Sequence, residues 1–311
     1  YRRRAGVMNS PEASAAQPTV SVVIPSHNRP DLVSSAVQSV LDQQGPVDVI
    51  VVDDGSTPPV AAVGPLADQA VRIIRNDHAQ GPSRARNRGL DAVQGDYVGL
   101  LDDDDRWLPG KLTRCLAVLD EHPDAGVAAH RTAYASPSAA ASQMEPRLLT
   151  EPLRYFGTHQ TPHPDSLLMR RTIADKVRFA GDLAAAEDVD YAIELGRHAA
   201  FVQIEDVLAV HGPDDVPSAI GLEKRIAARK QLRTRHPDVL YADRASKSFF
   251  HVRLGHLQRN VSRTQALGSF GRALWYQPAS PLAWRGVFAT LLPHGLASRL
   301  SKQRRTRETE Q

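Results

Sequence analysis

Four consecutive carboxylates, Asp102-Asp103-Asp104-Asp105, follow the apolar run Val98-Gly99-Leu100-Leu101 and precede Arg106-Trp107-Leu108-Pro109. Carboxylates packed this closely repel one another unless a cation or solvent separates them. Oxygen donors suit a hard divalent ion: Mg²⁺ or Mn²⁺ takes one or two carboxylates, and phosphate oxygens and water complete its shell. An isolated acidic block is usually a solvated face. Here the preceding run has the character of a strand buried in a parallel sheet, and open α/β sheets bind ligands at the C-terminal ends of such strands. The four acids are therefore expected at the ligand edge of a sheet, with a divalent cation.

Other acids stand at similar places. Asp53-Asp54 end the apolar run Val47 to Val52, and Glu187-Asp188-Val189-Asp190 open a helical pattern carried by Tyr191, Ile193 and Leu195. Carboxylates in a first helical turn also oppose the helix dipole, which explains the second cluster without chemistry. His211 follows two short runs, Phe201 to Ile204 and Val207 to Val210, both expected as edge strands, and can reach a ligand from there. His159 and His163 lack a cysteine partner, and Pro162 and Pro164 flank His163, so they read as solvent or acceptor contacts rather than a zinc pair.

The elements that must hold these residues follow in order. Val20 to Ile24 is a buried strand ended by Pro25, and Asn28 is the expected cap of a helix with Pro30 in its first turn. Leu32, Val33, Ala36, Val37, Val40 and Leu41 recur at helical spacing until Gly45-Pro46. Strands at 47–52 and 71–74, a helix from Gly81-Pro82 to Leu90, the strand before Asp102, a helix after Pro109 and a strand at 125–129 complete the pattern. Strands and helices alternating through short connections imply an α/β fold, a largely parallel sheet with helices on both faces. Residues 136–165 lose periodicity and are expected as a loop over the site. From about Ser218 the chain turns into helical runs, Glu223 to Arg235, Ala245 to Arg263, Ala266 to Tyr276 and Leu282 to Leu292. The expected organisation is a disordered leader at 1–17, an α/β domain at 18–215 and a helical C-terminal region at 216–311.

The totals set outer limits. The chain has 311 residues, 41% hydrophobic and 23% charged, with a formal net charge of +3, too little to argue for nucleic acid. One cysteine, Cys115, excludes an internal disulfide and a thiolate metal cluster and fits a reducing compartment. The start, Tyr1-Arg2-Arg3-Arg4, lacks the apolar stretch of a signal peptide, so a cytoplasmic location is expected. Basic residues from Arg299 to Arg307, near Trp275, Tyr276, Trp284 and Phe288, suit peripheral contact with the inner face of a membrane.

Taken together, Val22-Val23-Ile24-Pro25-Ser26-His27-Asn28-Arg29, Val51-Val52-Asp53-Asp54-Gly55-Ser56, Gly81 with Ala85-Arg86-Asn87-Arg88-Gly89, the Asp102 to Asp105 run with Trp107 and Pro109, and Glu187-Asp188 resemble the inverting family 2 glycosyltransferases of the GT-A fold. The resemblance covers roughly residues 18 to 215. It implies that Pro25, Ser26, His27 and Arg29 line a nucleotide pocket, with His27 where the family often has Tyr, and that Asp54 accepts from the imide N–H of uracil or thymine. Arg86 would add positive charge near the nucleotide. Asp104 resembles the direct metal ligand of a DXD pattern, with Asp102 or Asp103 on ribose or a metal-bound water. Asp188 resembles the catalytic base, with Glu187 able to exchange roles with it. His211 matches a histidine that contacts the metal or the leaving group.

The implied activity is metal-dependent transfer of a sugar from a nucleoside diphosphate sugar, a UDP-sugar foremost, with Mg²⁺ or Mn²⁺, to a hydroxyl of a glycan, lipid-linked carrier or small natural product. A sugar-1-phosphate nucleotidyltransferase also combines a nucleotide fold with metal-binding acids. Such enzymes usually cradle triphosphate in a glycine-rich first loop, and the loop after Ile24 has no glycine. A catalytically silent binding protein of the same fold is the third possibility.

Overall fold

The computed structural model describes residues 18–134, 144–212 and 221–292. The leader at 1–17 and the basic tail at 296–311 lie outside these residues.

β1 (Val20–Ser26) is buried at every position, and its β-branched residues suit a surface covered on both sides. Pro30 opens α1 (Pro30–Leu41), whose cap position is Arg29 rather than Asn28. Asn28 instead adopts φ +56°, which its short polar side chain tolerates, and its Oδ1 accepts from the Thr57 backbone N–H at 2.7 Å, stitching two loops together. β2 (Val47–Asp53), β3 (Val71–Arg75), α2 (Pro82–Leu90), β4 (Tyr97–Leu100), the two-residue β5 (Arg106–Trp107), α3 (Lys111–Glu121) and β6 (Ala125–Ala133) follow.

The stretch expected to be irregular carries a short strand and a helix, β7 (Arg147–Leu149) and α4 (Pro152–Thr158); residues 135–143 lie outside the described residues. Then come β8 (Leu167–Arg170), α5 (Arg171–Ala174), α6 (Glu187–Gly196) and β9 (Ala200–Val210). β9 is one strand, not two, and lies inside the sheet. Glu205-Asp206 do not break it, because register shifts against β6 absorb the irregularity and buried Asp206 pairs with Arg114 at 3.3 Å.

Among the described residues the sheet has nine strands, in the order β3-β2-β1-β4-β8-β6-β9-β5, with β7 also on β9. β1, β2, β3 and β4 are mutually parallel, while β8 runs antiparallel between β4 and β6. Alternate residues face opposite sides: Val23, Ile50 and Val52 enter one core, Val22, Ile24, Val49 and Val51 the other. Helices cover both faces.

The C-terminal helices are α7 (Leu222–Arg235), α8 (Pro237–Leu240), α9 (Arg244–Gln258), α10 (Arg263–Tyr276) and α11 (Pro281–Leu291). Asp243 and Ser246 form a reciprocal capping box that starts α9. Ile226, Leu232, Leu240, Phe250 and Leu254 join the same core as Val127 and Phe201 of the sheet. α10 and α11 close a smaller cluster around Phe270.

Candidate active site

The C-terminal ends of β1, β2, β4, β6 and β9 share one edge of the sheet. Because β8 runs the other way, its beginning lies at that edge as well. A cavity of about 1150 Å³ opens there, lined from both halves of the sheet.

On the β1–β2 side the cavity meets Pro25, Ser26, His27, Arg29 and Asp54. The His27 ring is exposed; its Nδ1 contacts the Asp54 carbonyl at 2.7 Å, an oxygen that only accepts, so Nδ1 carries the proton. Asp54 is buried, and its carboxylate accepts from Asn76 Nδ2 at 2.6 Å and from the backbone N–H groups of Gln80 at 3.0 Å and Gly81 at 2.8 Å. The Gln80 N–H is shared with the second oxygen, also at 3.0 Å, so each oxygen of Asp54 accepts two hydrogen bonds.

Arg86 projects from α2 into the middle of the floor and is almost fully buried. It donates to Asp102 Oδ1 at 2.5 Å and to Glu187 Oε1 at 3.4 Å, with Phe179 under its guanidinium at 5.1 Å. The four acids divide among different partners. Arg29 Nη1 holds Asp103 at 3.1 Å and Asp104 at 2.9 Å. Burial pushes Asp103 up to about 6, with the Asp104 charge adding and Ser26 and Arg29 opposing. Asp104 is raised by burial and by the charges of Asp105 and Asp102.

Asp105 turns the other way. Its Oδ2 lies 2.8 Å from His211 Nδ1, and its Oδ1 accepts from the Gly212 backbone N–H at 2.9 Å. A Cβ at Gly212 would collide with the Asp104 carbonyl, so only glycine lets the end of β9 approach the acid loop this closely. Ligand atoms of Asp105, His163, Asp165 and His211 lie within 4.8 Å of one another. His163 Nδ1 and Asp165 Oδ2 are buried 2.8 Å apart without hydrogen-bond alignment. Two imidazoles and two carboxylates fit a divalent cation, and the nitrogen donors favour Mn²⁺ over Mg²⁺. Burial opposes a charge on His163, but Asp165, Asp102 and Asp188 outweigh it and lift its pKa to about 10.

Glu187 and Asp188 open α6 immediately after Ala186, a non-glycine residue at φ +61°. Glu187 reaches the large cavity. Asp188 lines an adjoining cavity of about 420 Å³, and the two share a wall of Phe156, His159 and His163.

Of the residues singled out in the sequence, Pro25, Ser26, His27, Arg29, Asp54, Arg86, Asp102, Asp103, Asp104, Glu187 and His211 line the large cavity. Asp102 pairs with Arg86 and Asp104 with Arg29, so among the described residues only His211 of the three expected ligands belongs to the metal-capable cluster. Asp165 and the buried Lys111, whose Nζ donates to the Asp165 carbonyl at 2.5 Å, escaped notice. An acid just before an apolar run looks like a solvated strand start unless the strand's direction is known.

Residues 21–178 match the model of glycosyl transferase family 2. The chain belongs to that family. The succinoglycan biosynthesis protein ExoO of Rhizobium meliloti (strain 1021) is 37% identical over 113 residues, 36% of this chain and 32% of that protein. The putative colanic acid biosynthesis glycosyl transferase WcaA of Escherichia coli (strain K12) is 27% identical over 252 residues, 75% of this chain and 85% of the relative. The chain spans 32% to 43% of the length of the first three curated relatives it matches. The structure of S. aureus TarS 1–349 in complex with UDP-GlcNAc superposes at TM-score 0.59 with 16% identity, covering 83% of this chain and 81% of that one. At that identity the likeness concerns the fold, an α/β arrangement with a central sheet and helices. This family 2 glycosyltransferase therefore carries its candidate donor and cation residues at the edge where such sheets bind ligands.

Proposed function

We propose that the protein transfers a sugar from a nucleoside diphosphate sugar, a UDP-sugar foremost, to a hydroxyl of a glycan, lipid-linked carrier or small natural product, inverting the anomeric centre. The observation that carries this reading is Arg86, a buried cation that joins Asp102 of the acid loop to Glu187 beside Asp188. It holds the donor side and the proton-accepting side in one rigid unit. Family membership favours glycosyl transfer over nucleotidyl transfer, and the TarS complex with UDP-GlcNAc supports a uridine donor in this fold.

In this mechanism the base stacks on His27 and its imide N–H displaces the Gln80 N–H from one of the two Asp54 oxygens it shares, which selects uracil over cytosine. Asp188 takes the proton of the acceptor hydroxyl as that oxygen attacks the anomeric carbon opposite the departing diphosphate. Arg29 and Arg86 supply positive charge to that diphosphate. A bound divalent cation, held by Asp105, His163, Asp165 and His211 or by Asp104 after release from Arg29, would counter the charge that grows on the leaving group.

We place the enzyme at the inner face of the membrane, in the cytoplasm. Trp275, Trp284, Phe288 and Leu291 are exposed on α10 and α11, just before the basic tail. No helix of the described residues is long and apolar enough to cross a membrane.

The test is release of nucleoside diphosphate from UDP-, dTDP- and GDP-sugars, with Mn²⁺, Mg²⁺ or chelator, comparing wild type with Asp104→Ala and Asp105→Ala. One donor should turn over, only with metal, and both variants should lose that turnover. A wild type that neither binds nor hydrolyses any of these donors would overturn the reading.

A further inference from the structure

The smaller cavity, beside Asp188, is walled by α6, α7 and α9. Arg225 and Arg229 stand four residues apart on α7, so they share a helix face, and Arg253 faces them from α9. Other arginines of this region have evident partners: Arg197 with Asp238 at 2.7 Å, and Arg235 with Asp190 at 2.8 Å. Among the described residues, the side chains of Arg225, Arg229 and Arg253 make no hydrogen bond and no close ion pair, and the one carboxylate whose charge acts on Arg229 and Arg253 is Asp188. Asp188 is the single acid on the described wall, with His159, Gln160, Thr161, His163, His256 and Asn260 completing the polar lining.

Three guanidiniums share the single carboxylate of Asp188, and for Arg229 and Arg253, which are held away from solvent, that excess of positive charge is a cost to the fold. Burial, followed by the charge of Arg253, pulls Arg229 down to about 10 with Asp188 opposing and Arg225 adding, and burial lowers Arg253 too, again against Asp188. Nothing in the packing requires these charges, since apolar neighbours such as Leu240, Phe249, Phe250 and Leu257 already line the same walls. A planar guanidinium presents paired donors that match phosphate oxygens, and a converging set of them is the arrangement that binds a multiply charged oxyanion.

We infer that the acceptor is a phosphorylated sugar, and that Arg225, Arg229 and Arg253 hold its phosphate or diphosphate while the sugar presents its hydroxyl to Asp188. This rests on the glycosyl-transfer reading and deepens it. The cavity, about 420 Å³, has room for one sugar and its phosphate. Its shared wall at Phe156, His159 and His163 places that sugar next to the donor cavity. The acceptor sugar therefore lies close to the phosphate end of its chain, as at the reducing end of a short phosphate-linked glycan.

Calorimetry with the full chain tests this, with chelator present so that phosphate probes gain nothing from a metal-loaded donor site. The probes are glucose 1-phosphate, glucose and farnesyl diphosphate in detergent. Wild type should bind glucose 1-phosphate at least tenfold more tightly than glucose, and Arg229→Gln/Arg253→Gln should lose tenfold or more of that affinity. Arg229→Lys/Arg253→Lys, which keeps the charge and loses the fork, should fall between them and stands in if the Gln variant does not fold. Equal binding of glucose 1-phosphate by wild type and either variant, or no preference over glucose, overturns the inference. UDP with Mn²⁺, titrated separately without chelator, is the control: if wild type fails to bind it, the glycosyl-transfer reading fails, whatever the arginines do. Farnesyl diphosphate bound tenfold more tightly than glucose 1-phosphate assigns the phosphate to a lipid carrier, and similar affinities assign it to a soluble glycan.

Discussion

Asp190 and His236, both with side chains only 1% exposed, meet at 2.8 Å between Oδ1 and Nε2. Arg235 Nε reaches the same oxygen at 2.8 Å. Asp190 lies two residues beyond Asp188 on α6, and His236 sits at the junction of α7 and α8, so this contact locks the helix of the candidate base to the C-terminal helices. Asp190→Ala leaves the buried His236 imidazole without its acceptor, while Arg235 keeps Asp182 at 3.2 Å, and should cost about 1 to 3 kcal/mol in urea unfolding. A loss below about 0.5 kcal/mol would show that the contact does not hold the two parts together.

Asp188→Asn keeps the shape of the side chain and removes the proton acceptor. Sugar transfer should fall by about 10² to 10⁴ while UDP affinity stays within threefold. Glu187→Gln weakens the charge pair with Arg86 and should affect UDP affinity as well as rate, because Arg86 also holds Asp102. Comparable losses of rate in both variants, with UDP affinity untouched, would mean that the two acids share the proton.

The cation ligands can be separated by Mn²⁺ titration followed by electron paramagnetic resonance. Without nucleotide, Asp165→Asn and His211→Ala should weaken Mn²⁺ at least tenfold, and Asp104→Asn should matter little because Arg29 already occupies that carboxylate. With UDP present, Asp104→Asn should become costly. A large effect of Asp104→Asn in the absence of UDP would assign the cation to the acid loop from the start.

His251 couples stability to pH. Its ring is buried on α9 with Tyr241 Oη at 2.5 Å from Nε2, and burial, then the charges of Arg272 and Arg233, bring its pKa down to about 4. The unfolded chain takes up a proton near the ordinary value of about 6.5, and the folded chain does so only near 4. The stability this group contributes is therefore complete above about 6.5 and is lost as pH falls toward 4. Solvent screening reduces the effect to about 1 to 2 kcal/mol. His251→Gln should show a shallower fall than wild type across that window in urea unfolding, and parallel curves would contradict the assignment.

Peripheral membrane contact predicts that Trp284→Ser/Phe288→Ser and a chain ended at residue 295 each lower retention on vesicles rich in anionic lipid, the second more strongly at low salt. Equal retention of all three proteins would remove the membrane from the picture.

Buried strands that end in acids are a local signal, and β1, β2 and β4 were legible for that reason: β-branched and apolar runs bounded by Pro25, Asp53 and Asp102 need no distant partner to be recognised. The same short-range information marked Glu187-Asp188 as the opening of a helix. What the acids pair with was decided in three dimensions. Asp105 and His211 are 106 residues apart, and Arg86 and Glu187 are 101 apart, so no periodicity links them. Asp165 and His163 join the site only because β8 runs antiparallel, which brings the beginning of that strand to the edge where its neighbours end. Strand direction is set by pairing and by the connections across the sheet, and the side-chain alternation of a strand is the same whichever way it runs.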